Sequence, residues 1–62
     1  MRGDYPSLLH SVTEVVKIMH SDAVLIDEDV IDDITTVFVF RTEAGLTITV
    51  SVGIEQVHII ET

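Results

Sequence analysis

Residues 34–61, ITTVFVFRTEAGLTITVSVGIEQVHIIE, decide the fold. They read as three antiparallel strands joined by two tight turns. The first turn, Glu43-Ala44-Gly45, is a three-residue hairpin loop whose last residue sits in the left-handed region, where glycine has no steric cost. It pairs Thr42 with Leu46, Phe40 with Ile48, Phe38 with Val50 and Thr36 with Val52. The second turn is read as Gly53-Ile54, with glycine at the first central position of a type II′ turn. That reading pairs Val52 with Glu55, Val50 with Val57, Ile48 with Ile59 and Leu46 with Glu61.

Opposed residues share a face and successive residues alternate. Both turns therefore sort the same set onto one side: Phe38, Phe40, Leu46, Ile48, Val50, Val52, Val57 and Ile59. The other side receives Val37, Val39, Arg41, Thr47, Thr49, Ser51, Gln56, His58 and Ile60. One face is apolar and one is mixed, as expected of a sheet covered on a single side.

What covers it lies upstream. Leu8, Leu9, Val12, Val15, Val16 and Met19 recur at helical spacing, which predicts an amphipathic helix over residues 6–20. Asp4 or Ser7 can cap it, with Pro6 in the first turn, where a missing amide hydrogen costs little. The expected fold class is α+β: one N-terminal amphipathic helix packed on an antiparallel three- to four-stranded β-meander. A fourth strand would come from Ala23-Val24-Leu25-Ile26, four apolar residues that fit a short strand buried on both sides or an extension of the helix. The strand beside the meander is preferred. The segment 27–33 then carries five acids in seven residues and reads as a solvated loop, with Val30 and Ile31 tucked against the domain edge.

The chain has 62 residues and forms one small domain, 1–62, with a net charge of −8 from eleven acids against Arg2, Lys17 and Arg41. A domain this small buries only about 60% of its unfolded surface, so its stability margin is thin. No cysteine is present to staple it. No apolar run approaches the roughly 20 residues that span a membrane, and cytoplasm is the expected compartment.

The charge argues against direct contact with nucleic acid or anionic lipid and favours a basic protein partner. Catalysis is not expected. His10 and His20 fall on the helix exterior and His58 on the outer sheet face, and nothing in the order of residues brings a nucleophile to a base. The calcium-loop pattern needs a central glycine and a closing glutamate, which residues 27–33 lack, so no metal site and no cofactor are assigned. A weak calcium binder stays as a minor alternative.

The partner-binding residues expected are Asp22, Asp27, Glu28, Asp29, Asp32 and Asp33. The plainest account of these acids is that they keep a small domain soluble. The sharper one compares them with duplex DNA, which carries one charge per about 1.7 Å of axis. A row of carboxylates on that scale suits the basic groove of nucleic-acid-handling machinery. Small acidic inhibitors of the phage or mobile-element type, including some that act on CRISPR machinery, work in this way, and the analogy rests on size and charge alone. The alternative from another class is a small homodimeric accessory protein held together through Val37, Val39, His58 and Ile60 of the outer sheet face.

Overall fold

The computed structural model describes residues 5–62, and the side chains of residues 7–62. The chain runs α1 (Tyr5–Met19), β1 (Val24–Val30), β2 (Thr36–Arg41), β3 (Thr47–Val52) and β4 (Val57–Glu61). The strands form one antiparallel sheet in the order β1-β2-β3-β4, a complete meander with β1 and β4 at its edges. No described helix is long and apolar enough to cross a membrane.

The β2–β3 hairpin follows from its turn. Gly45 has φ of +90°, the Thr42 N–H donates to the Leu46 carbonyl at 3.0 Å, and the Gly45 N–H donates to the Thr42 carbonyl at 3.0 Å. Thr42 is buried, and its Oγ1 accepts the Leu46 N–H at 3.2 Å, so its hydroxyl is satisfied. Pairing then runs Phe40 to Ile48, Phe38 to Val50 and Thr36 to Val52, the expected register.

The second turn differs from its reading. Val52 pairs with Val57, Val50 with Ile59 and Ile48 with Glu61, so β4 lies two residues further along than a Gly53-Ile54 turn allows. Residues 53–56 form the connection, closed by the Gly53 N–H on the Gln56 carbonyl at 2.7 Å. Gly53 does not take positive φ, which a type II′ turn requires. A shift of two preserves the alternation, so every residue of β4 keeps its expected face.

The first strand corrects a second expectation. Residues 27–29 do not loop out: β1 extends through Asp27, Glu28 and Asp29 to Val30 and pairs with β2. It is not buried on both sides either, since only Leu25 is half-buried and the other six residues are exposed. Val30 and Ile31 stand in solvent instead of tucking against the edge. An edge strand has one neighbour, and charge is tolerated there because it costs no burial.

Helix α1 lies against the inner sheet face. The core contains Val12 and Val16 from the helix, Ala23 from the connection, and Phe38, Phe40, Ile48 and Val50 from the central strands, with Leu8, Leu9, Leu25, Leu46 and Val52 packed around them. Val15 and Met19 of the expected stripe are more than 40% exposed, because the covered arc is narrower than the apolar one. Ser7 lies within the helix and is not its cap, and Asp4 lies outside the described residues.

Candidate functional site

Strand pairing determines which candidate residues share a surface. Asp29 opposes Val37, which opposes Ser51, which opposes His58. Asp27 opposes Val39, then Thr49, then Ile60. Both rows lie on the sheet face turned away from α1. The acidic strand and the expected dimer face are thus one continuous surface: a carboxylate rim at β1, valines on β2, hydroxyls on β3, and His58 with Ile60 on β4. Glu28 opposes Phe38 and so points to the helix side, but its edge position leaves it exposed.

The six acids do not gather into a cluster. Asp22 precedes β1 and Asp32 and Asp33 follow it, so they lie beyond opposite ends of a strand about 20 Å long. Among the described residues, no three His, Asp or Glu groups converge as metal ligands would.

Several carboxylates also have local tasks. Asp22 Oδ2 accepts the Glu43 N–H at 2.9 Å, tying the helix–β1 connection to the β2–β3 turn. Asp27 Oδ1 accepts the Glu28 N–H at 2.9 Å. Asp32 Oδ1 accepts the Ile34 N–H at 2.9 Å and shapes the β1–β2 loop. Among the described residues, the carboxylates of Asp29 and Asp33 have no such bond, and no carboxylate pairs with Lys17 or Arg41.

Of the histidines, only His20 departs from its expected placement. His10 Nε2 lies 3.2 Å from Glu14 Oε2 on the exposed helix surface, and His58 Nε2 lies 3.2 Å from Gln56 Oε1. His20 is half-buried, 3.3 Å from Glu61 Oε2, and joins the end of α1 to the last strand. Forty-one positions separate that pair in the chain, and no local pattern announces it.

A groove of about 210 Å³ runs between α1 and the sheet, lined by Leu8, Val12 and Val15 on one side and Val52, Val57 and Ile59 on the other. It lies below the roughly 300 Å³ at which small-molecule pockets begin, and it lacks the convergent polar groups that orient a ligand.

Fold and surface together define a small acidic α+β domain with one open, mixed sheet face and an anionic edge strand. No family model, curated protein or solved structure matches this chain.

Proposed function

We propose that this chain is a non-enzymatic binding protein that occupies the basic groove of a nucleic-acid-handling protein and thereby inhibits it. The observation that carries the reading is that Asp27, Glu28 and Asp29 lie consecutively on an edge strand. A strand rises about 3.3 Å per residue, and one nucleic-acid strand places a charge every 3.4 Å of axis. Asp27 and Asp29, on one face, therefore stand about 6.6 Å apart, two charge steps of a single strand, with Glu28 between them on the other face. Asp33 extends the row past the strand end, and Val37 and Val39 beside the rim offer apolar area for the same contact. A basic groove gains by releasing its own counterions to such a surface.

Asp29→Lys with Asp33→Lys is the informative variant, because neither carboxylate supports the backbone. Proteins captured from host extract at low salt by the original chain should be displaced by duplex DNA. The double variant should bind them at least about tenfold more weakly, since each reversal turns an attraction into a repulsion. Capture that neither DNA nor the reversals disturb would mean that the acids serve only solubility.

A second reading, a homodimer through the outer face, draws on the exposure of Ile60, at 57%, beside Val37 and Val39. Val39→Glu is the variant that separates it.

A further inference from the structure

The two edges of the sheet are built differently. On β1, the register is broken by a bulge between Leu25 and Asp27, three acids occupy the strand, and the Glu28 N–H, which faces outward, is already taken by Asp27. Bulges, charges and occupied amides are the ordinary means of preventing an edge strand from pairing. On β4 the bulge and the occupied amide are missing, and Glu61 is its one acid. Its sequence, Val57-His58-Ile59-Ile60-Glu61, is mostly apolar, every residue is exposed, and its pairing with β3 is regular.

The ladder shows which β4 groups are free. Thr47 and Thr62 exchange both backbone bonds, at 3.0 and 2.9 Å, and the Gly53 N–H reaches the Gln56 carbonyl at 2.7 Å. In an antiparallel pair such bonded positions recur at every second residue. The backbone of His58 and Ile60 is therefore turned to β3, and that of Val57, Ile59 and Glu61 faces outward. The same odd-numbered residues send their side chains to the helix side, where Val57 is 60% and Ile59 40% exposed at the mouth of the apolar groove.

We propose that β4 pairs antiparallel with β4 of a second copy about a two-fold axis at Ile59, giving a continuous eight-stranded sheet with both helices on one face. The strand is complementary to itself in this register. Ile59 meets its own counterpart, Val57 meets Glu61 of the second copy, and His58 meets Ile60, so each outward N–H and carbonyl finds a partner. Sliding by two residues one way opposes Glu55 to Glu61, two like charges. Sliding the other way sets Ile59 against Glu61 and loses the Ile59 contact across the axis. The chosen register also brings the two grooves side by side across the axis, with Ile59 at the seam, which gives this apolar surface an occupant. This interface is separate from the outer face, and it needs no third protein.

Sedimentation equilibrium on the full chain tests it, together with a synthetic chain carrying N-methyl-Ile59, which loses one outward N–H and no side-chain atom. The original chain is expected at twice its 6.9 kDa mass and the N-methyl chain at the single mass, with Val39→Glu still dimeric. Amide exchange in the original chain gives an independent reading. The N–H groups of Val57, Ile59 and Glu61 should exchange as slowly as those of His58 and Ile60. A single-mass original chain, a dimeric N-methyl chain, a dimer dispersed by Val39→Glu, or fast exchange confined to the three odd positions would each overturn the proposal. The exchange measurement decides the matter even if N-methylation unfolds the chain.

Discussion

At the residue scale, the two turn glycines look alike in sequence and behave oppositely in the fold. Gly45 has φ of +90° with no heavy atom within 4 Å of a added Cβ, so the cost of a side chain there lies in the backbone alone. Gly45→Ala should lose about 1–2 kcal/mol of stability, the penalty of placing an L-residue in left-handed space. Gly45→Asn should lose less, because asparagine tolerates that region better. Gly53 lacks positive φ, and an added Cβ would sit 3.7 Å from the Gln56 carbonyl oxygen, an ordinary contact. Gly53→Ala should therefore be neutral or gain up to about 1 kcal/mol by restricting the unfolded chain. Urea unfolding of the three variants measures all of this. A loss at position 53 as large as that at 45 would argue for a type II′ turn there in place of the four-residue connection.

At the element scale, alternation was legible in the sequence and the second turn was not. Gly45 is the only sensible closure for Glu43-Ala44-Gly45, and the hairpin register follows from it. Gly53-Ile54-Glu55-Gln56 satisfies both a two-residue turn and a four-residue connection, and local chemistry does not choose between them. The two alternatives differ by an even number, so the sorting of Phe38, Phe40, Ile48 and Val50 toward the helix survived the error. The fourth strand was legible in Val24-Leu25-Ile26, but its extension through Asp27, Glu28 and Asp29 was not, for another reason. Asp and Glu score poorly in strands, but propensity reflects surroundings. On an edge, alternation sends Asp27 and Asp29 to one face and Glu28 to the other, which relieves their repulsion. The acids are conspicuous in the sequence, while their shared surface with Val37 and Val39 appears only once they are seen to be a strand. If these acids also protect that edge, replacing Asp27 and Asp29 with Val and Glu28 with Thr should produce chains that associate through β1. Growth of light scattering and thioflavin fluorescence at neutral pH is the expected outcome. A triple variant as soluble as the original chain would confine edge protection to the bulge.

At the scale of the whole molecule, apolar surface and charge pull in opposite directions, and the sheet keeps them apart. Seven hydrophobic residues are buried and twelve large ones are exposed, so among the described residues more apolar side chains stand outside the core than in it. Such a chain gains by association, yet a net charge of −8 on each copy resists it. Pairing through β4 resolves the conflict by distance. In an eight-stranded sheet the two β1 strands lie seven strand spacings apart, about 34 Å. The Debye length is about 8 Å at physiological ionic strength and about 30 Å at 0.01 M. The two anionic rims should therefore ignore each other in ordinary salt and repel only when salt is scarce. Within one copy, no carboxylate among the described residues is paired with a lysine or arginine, so salt has repulsion to screen and little attraction to weaken. Thermal unfolding at fixed protein concentration should shift to higher temperature between 0.01 and 0.15 M sodium chloride, the range over which the Debye length falls from about 30 to about 8 Å, and change little beyond it. Dimer association measured over the same series should weaken only at the low end. A melting temperature that falls as salt is added would mean that attractive ion pairs hold the fold, and the separation of charge from greasy surface would no longer explain how so small a chain stays folded.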